Sequence, residues 1–511
     1  MRALLIGLTI VVAFEARTAA AADQPNILLC ISDDQSYPYM SAYGTAGINT
    51  PAFDRIAKEG VLFNNAYAAS PGCSPSRAAL LTGRHCWQLE HAGTHASHFA
   101  TKYKVYPDIL EADGYFVGAT GKGWGPGNYK ISGRTRNPAG TQFQDKKFKK
   151  VPKGIRNTDY AGNFEEFIAQ KPDDKPFCFW MGGSEPHRVY KKGIGLENGK
   201  KLEDAVVPTF LPDTSEIRSD ILDYCYEIEW FDNHVDQALK LLAEKGELDN
   251  TLIVYTADNG MPFPRAKANG YEYGIHVPMA IRYGAKANAG RTVNDLVGFV
   301  DLSPTFHEAA GIEIADDITG KSLMNILTSD KSGTVDETRT HAWSSRERHS
   351  SSRYNNLTYP IRSMRTPQYL YIRHFRPDRW PAGSPAPFKK DTFGYYDIDG
   401  CPSKTFLWEK RNDPELGKYF LLSVDKRDEI EIYDVKKDPG NLNNLAGDAA
   451  FAAQKTKLTN EFESYLRETG DPRIIDGGDV WETYKRYSHI RSFPEPDSID
   501  VYGKATSNKS R

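Results

Sequence analysis

Nowhere in its 511 residues does this chain carry a Cys-x-x-Cys pair, which argues against a zinc ribbon. Its six cysteines, Cys30, Cys73, Cys86, Cys178, Cys225 and Cys401, are too few and too scattered for a disulfide framework. No segment beyond the N-terminus approaches the ~18 consecutive apolar residues of a membrane-spanning helix. Positive charge is not in excess either: 64 Lys and Arg face 67 Asp and Glu, for a formal net charge of -3. No global basic field exists to hold a nucleic acid, so an anionic substrate would need cations concentrated at one place. Internal repeats are also absent. Two of the cysteines, Cys30 and Cys178, lie in apolar runs and read as small buried hydrophobes. Cys73 lies in no such context.

The first 22 residues read as a removable secretory leader. Arg2 supplies the positive start, Ala3–Phe14 the apolar stretch, and Ala20 and Ala22 the small residues before a cleavage point at Asp23. The leader looks bacterial and predicts an exported protein, periplasmic or secreted. After it, short apolar runs alternate with helical stretches. Asn26–Ile31, Phe116–Thr120, Phe177–Met181, Leu252–Thr256 and His276–Tyr283 read as buried strands, and Thr50–Gly60 as a helix. The pattern predicts an α/β fold with a mostly parallel sheet flanked by helices, which binds ligands beyond the carboxyl ends of its strands. After about residue 340 the pattern changes. Thr366–Phe375 and Glu429–Val435 alternate, and Ala450–Glu468 is amphipathic. These predict a smaller C-terminal α+β domain with an antiparallel sheet. The division is residues 1–22 leader, 23–365 main domain and 366–511 C-terminal subdomain, with Tyr129–Asn157 a surface excursion and Thr506–Arg511 a frayed tail.

Polar residues cluster at the strand ends. Asp33-Asp34 follows the first strand and Asp258-Asn259 a later one. Three carboxylates and an amide oxygen are hard donors suited to Ca²⁺ or Mg²⁺, although either pair alone also fits a turn or helix cap. Lys122 and His187 each follow a buried strand, and Lys267 lies eight residues beyond Asn259. Cys73 lies just before a helix start, with Ser74 as cap and Pro75 in the first turn. A helix start suits an anionic group, and Arg77 falls one turn on, on the face of Cys73. On these residues alone Cys73 could equally be a packed free thiol.

Cys73-Ser74-Pro75-Ser76-Arg77, followed by Leu81-Thr82-Gly83, resembles the signature of the sulfatase family. The resemblance implies an alkaline-phosphatase-like fold and oxidation of Cys73 to formylglycine by a formylglycine-generating or anaerobic sulfatase-maturing enzyme. It further implies that the hydrated aldehyde attacks sulfur with one hydroxyl and expels sulfate with the other. One Ca²⁺ would be held by Asp33, Asp34, Asp258, Asn259 and the modified residue 73. Lys122, His187 and Lys267 would contact sulfate and the leaving group. One departure stands out. The family carries a histidine two residues after the first lysine, and here Gly121-Lys122-Gly123 is followed by Trp124. Either another histidine, such as His85 or His91, replaces it, or Trp124 walls the pocket and stacks on a sugar.

Glu185-Pro186-His187-Arg188, Asp258–Pro264 and Tyr359–Ser363 extend the resemblance toward the heparan N-sulfatase branch, the N-sulfoglucosamine sulfohydrolases. Arg188, and Arg346, Glu347, His349 and Arg353 of the Arg346–Arg353 segment, are the candidates for substrate contacts. The implied substrate is a sulfated carbohydrate, with O-sulfate and N-sulfate both open. Two other readings remain: a formylglycine-dependent phosphodiester or phosphonate hydrolase, and a catalytically dead sulfated-glycan-binding protein. A dedicated phosphatase would normally show a Ser or Thr nucleophile and two transition metals with histidine ligands. A pure binder has no need of a convertible cysteine.

Overall fold

A computed structural model describes residues 24–387 and 393–496; the leader Met1–Ala22 and the tail Thr506–Arg511 lie outside the described residues. The main body is built on a nine-stranded sheet in the order β4-β3-β5-β1-β6-β7-β2-β8, with β9 paired to β2. The strands are β1 Asn26–Ser32, β2 Val61–Tyr67, β3 Phe116–Gly121, β4 Thr141–Gln142, β5 Phe177–Gly182, β6 Thr251–Ala257, β7 His276–Tyr283, β8 Arg291–Val293 and β9 Val297–Gly298. Only β7 runs against the rest.

Alternation along β1 shows why its run is apolar throughout. Ile27, Leu29 and Ile31 enter one core with Leu80, Leu110 and Phe306 of the helices on that face. Leu28 and Cys30 enter a second core with Phe53, Phe164 and Ile228 from the helices on the other face. A sheet covered on both faces has no solvent side, so every β1 residue is buried. The Cys73–Thr82 helix lies on the first face. The 30-residue Ser215–Glu244 helix lies on the second.

The smaller sheet is antiparallel and four-stranded: β10 Ala342–Arg346, β11 Ile361–Arg365, β12 Tyr369–His374 and β13 Ile430–Asp434. Its first two strands precede residue 366, so the boundary drawn from composition falls inside this sheet. Both strands are buried along their whole length and hide the alternation that marks a half-exposed strand. One face packs Ile361, Leu370 and Ile372 on Tyr67 and Ile275 of the main body. The other packs Met364, Tyr371 and Ile432 under Leu458, Phe462 and Leu466 of the Ala452–Glu468 helix. The seam is also polar: Ser345 N–H donates to Ala69 O at 2.9 Å, just ahead of the Cys73 helix. Among the described residues no helix is long and apolar enough to cross a membrane.

Candidate active site

The carboxyl ends of β1, β3, β5 and β6 open side by side, because these strands are adjacent and parallel. Asp33-Asp34 leaves β1, Lys122 leaves β3, His187 follows β5, and Asp258-Asn259 leaves β6. Asp34 has φ 69°, a left-handed conformation uncommon outside glycine. That twist lets two consecutive carboxylates serve one place. The helix on which the nucleophile candidate lies starts at Cys73 itself, with Gly72 as its N-cap. Ser74 does not cap it; its Oγ accepts from Ala96 N–H at 3.2 Å. Gly72 leaves no room for a side chain, since a Cβ there would stand 2.9 Å from His349 Nδ1.

Cys73 Sγ lies 3.5 Å from Asp33 Oδ1 and 3.9 Å from Asp34 Oδ1. Arg77, fully buried one turn along, ties two strand ends together. Its Nε donates to Asp258 Oδ2 at 2.7 Å, and one terminal nitrogen donates to Lys122 O at 2.6 Å and Gly123 O at 3.2 Å. Lys122 Nζ reaches Asp33 Oδ2 at 2.5 Å. Lys267 Nζ reaches Asp34 Oδ2 at 2.5 Å and Asp399 Oδ2 at 3.0 Å. The loop carrying Lys267 is joined to the nucleophile loop by Ala268 N–H donating to Pro71 O at 2.8 Å. His187 Nδ1 lies 2.7 Å from Arg188 O, which assigns the proton to Nδ1 and turns Nε2 toward Asp34 Oδ2, 3.8 Å away.

Burial and the three neighbouring carboxylates push the Cys73 thiol well up, against Lys122. A buried neutral thiol is a poor nucleophile, because the thiolate is the reactive form. Burial also raises Asp33, but Lys122, His187, Arg77 and Lys267 outweigh it and hold the carboxyl well below its ordinary value. Asp258 goes the other way, up to about 6, through burial and the charge of Asp33 despite the Arg77 pair.

A divalent cation fits this donor set. Asn259 Nδ2 donates to Asp34 Oδ1 at 2.8 Å, yet its Oδ1 is buried with no hydrogen-bond partner, a hard oxygen left over among three carboxylates. Asp33, Asp34 and Cys73 bring ligand atoms within 4.8 Å of one another. Asp34, His187 and Asp399 do so too, but the Lys267 ammonium already bridges two of them. A groove of about 890 Å³ at the seam of the two sheets, lined in part by Tyr37, His276 and Arg339, shares no residue with this cluster.

Several residues expected at the substrate are instead struts. Arg188 is clamped on Asp220 at 2.5 and 2.9 Å, between the rings of Tyr190 and Phe263. Arg346 and Arg353 both hold buried Asp397. Glu347 pairs with Arg362 at 2.8 Å and Arg473 at 2.7 Å. A buried arginine already paired with a buried aspartate has its charge committed. Trp124 does not wall the pocket either. It is 3% exposed and packs edge-on against Phe99 at 5.2 Å in the first core. Trp124→Ala is therefore expected to cost stability, roughly 3–5 kcal/mol for a buried Trp, read as a shifted denaturant midpoint.

Nor do His85 and His91 reach the cluster. His85 pairs with the Tyr465 hydroxyl at 2.8 Å, and His91 stacks on His98 and Tyr484. The histidines near the nucleophile loop are His349, against Gly72, and His95, whose ring lies 4.8 Å from that of His349. Burial, then Lys267, pushes His349 down to about 3, leaving a neutral ring with an unpartnered, buried Nδ1. Sequence reasoning missed His95 and Asp399. Neither lies within a recognisable motif.

A parallel-sheet cleft with a buried cysteine at a helix start, a hard-oxygen cluster and two lysines defines a hydrolase of anionic esters. The family model described as Sulfatase matches residues 25–312, and the chain belongs to that family. A second, described as N-sulphoglucosamine sulphohydrolase, C-terminal, matches residues 266–381. The protein is thus a sulfuric ester hydrolase of alkaline-phosphatase-like fold. It is 27% identical over 460 residues to an ulvan-active sulfatase of Formosa agariphila, covering 89% of this chain and 82% of that one. It is 26% identical over 497 residues to human N-sulphoglucosamine sulphohydrolase, covering 89% and 93%. A solved structure in complex with D-glucosamine-2-N,6-O-disulfate superposes with a TM-score of 0.63 at 21% identity, covering 90% of this chain and 99% of that one.

Proposed function

We propose that the protein removes sulfate, as an O-sulfate ester or an N-sulfate, from a sulfated glycan, using a formylglycine made from Cys73 and one bound Ca²⁺. The observation that carries this is the placement of the Cys73 thiol beside Asp33 and Asp34, in a cleft that also holds the partnerless Asn259 Oδ1. The named activities of the curated relatives, on ulvan and on N-sulphoglucosamine, support a sugar substrate. Conversion of Cys73 requires a maturing enzyme, and the leader Met1–Ala22 directs the product out of the cytoplasm.

When bound, the cation polarises a sulfate oxygen and lowers the pKa of the attacking hydroxyl. Asp33, Asp34, Asp258 and Asn259 hold it. Arg77 fixes the nucleophile helix to those ligands. Lys122 and Lys267, each paired with a carboxylate of the cluster, would neutralise the anion's oxygens. His187, with Nδ1 committed to a carbonyl, presents Nε2 to hold or deliver the leaving group's proton.

Charge supports a sulfate ester over a phosphate monoester. Apart from His187, Asp33, Asp34, Asp258 and Asp399 face Arg77, Lys122 and Lys267, a deficit of one positive charge that a divalent cation turns into a surplus of one. That matches a singly charged sulfate ester better than a phosphate monoester of about -1.5 to -2. The direct test is release of inorganic sulfate from sulfated sugars by the matured enzyme, beside release of the alcohol or phenol from phosphodiesters. Faster phosphodiester cleavage would overturn the reading.

His187→Ala is expected to slow sugar sulfates by about 10²–10⁴-fold. An activated aryl sulfate, whose leaving group needs no proton, should lose much less. Equal losses on both would show that His187 only binds sulfate.

A further inference from the structure

Asp399 is a carboxylate at the cluster that no step above uses. It belongs to the Gly394–Cys401 segment, which Asp397 pins to the body by accepting from Ser350 N–H at 2.9 Å and by pairing with Arg346 and Arg353. Two residues on, Asp399 is delivered to the site. Among the described residues, its hydrogen-bond donor is Lys267, through Oδ2 at 3.0 Å. Its carboxylate also comes within 4.8 Å of a His187 nitrogen and an Asp34 oxygen.

Exposure separates Asp399 from the other acids. The side chains of Asp34 and Asp258 are 0% exposed and that of Asp33 2%, whereas Asp399 is 28% exposed, close to the 34% of His187. His187 and Asp399 thus lie on the open side of the cleft, nearer solvent than Lys267. A negative group beside the entrance of an anion site repels the ligand it should admit. Lys267 does not need it as an anchor, because Asp34 already holds that ammonium at 2.5 Å. A carboxylate accepts hydrogen bonds only, so its place is offset by a ligand that brings a donor alongside the sulfate. On a sugar, that donor is the free hydroxyl on the carbon next to the sulfated one. An aryl sulfate has none, and a second sulfate at that carbon would meet Asp399 with like charge.

We propose that Asp399 is a specificity residue, accepting a hydrogen bond from a free vicinal hydroxyl and so selecting a sulfated sugar with an unsulfated neighbouring position. This rests on the reading of the site as a glycan sulfatase.

The test compares matured wild type, Asp399→Ala and Asp399→Asn on 4-nitrophenyl sulfate and on the best of a panel of monosulfated hexoses and hexosamines. In Asp399→Ala the sugar-to-aryl ratio of kcat/KM is expected to fall about 10-fold or more, mainly through KM, as for a lost hydrogen bond to a charged group. Asp399→Asn keeps an acceptor and should retain part of the preference, while admitting the vicinally disulfated sugar better than wild type does. Calorimetry in a Cys73→Ala background gives a second reading without turnover. There Asp399→Ala should weaken the sulfated sugar about 10-fold or more, and weaken inorganic sulfate far less. An unchanged sugar-to-aryl ratio, or equal weakening of sugar and sulfate, would show that Asp399 merely holds Lys267, and would overturn the proposal. Wild type that releases sulfate from neither substrate class would instead sink the glycan-sulfatase reading, and this inference with it.

Discussion

Cys73→Ala is expected to abolish sulfate release from every substrate while the protein stays folded. The two halves of that expectation have separate causes. Turnover stops because, on the proposed mechanism, the nucleophilic oxygen is made from this side chain. Folding survives because little packing is lost. Cys73 is the first residue of its helix, and its Sγ makes only long contacts, at 3.5 and 3.9 Å, to two carboxylates. Removing one small side chain from such a position falls within about 1 kcal/mol, near the centre of the range for point mutants. Cys73→Ser sharpens the test, since serine offers an oxygen without the aldehyde. A serine variant that turned over at the wild-type rate, with mass spectrometry showing residue 73 unmodified, would refute the formylglycine mechanism. Mass spectrometry of the residue 70–84 region of matured wild type should show the thiol converted to an aldehyde.

How far the sequence spoke depends on what each residue needs from its surroundings. The strands of the main sheet are legible because burial on both faces makes them apolar runs of strand length. The ends of those runs mark where Asp33, Lys122, His187 and Asp258 emerge. The direction of β7 is not legible, since nothing in His276–Tyr283 says which way the strand runs. Neither is the start of the second sheet. Arg362 and Arg365 make β11 look like a charged loop, yet Arg362 is fully buried between Glu347 and Asp471. The same pairing explains the misplaced substrate contacts. A run such as Arg346–Arg353 reads as a solvated binding loop, whereas four of its charged side chains are buried. Whether an arginine meets a sulfate or an aspartate depends on partners far away in the chain, here Asp397, just as Glu347 depends on Arg473. Asp399 was silent for the converse reason: an aspartate in a Tyr-Asp-Ile-Asp-Gly segment carries no signal until Lys267 is seen beside it.

Asp258→Ala is expected to remove both bound metal and activity, taking calcium from one per chain to a small fraction of that by elemental analysis. Asp258 is fully buried between Arg77 Nε at 2.7 Å and Asp34 N–H at 3.0 Å. Its loss deletes a charged ligand and leaves a buried guanidinium short of its partner, which costs roughly 3–5 kcal/mol when such a pair is broken. The alanine protein will therefore also melt lower. Asp258→Asn separates the two effects. The amide keeps the shape and a neutral oxygen for Arg77, so more stability should survive, yet the lost charge should still weaken metal binding. A folded asparagine variant with normal calcium and normal turnover would show that Asp258 serves Arg77 alone. The identity and number of ions are open to the same measurement. Oxygen donors without a thiolate select calcium or magnesium over zinc. A second cation would have to displace the Lys267 ammonium from between Asp34 and Asp399. Stoichiometric zinc, or two metals in each wild-type chain, would contradict the single hard-cation site and return the phosphatase reading to consideration.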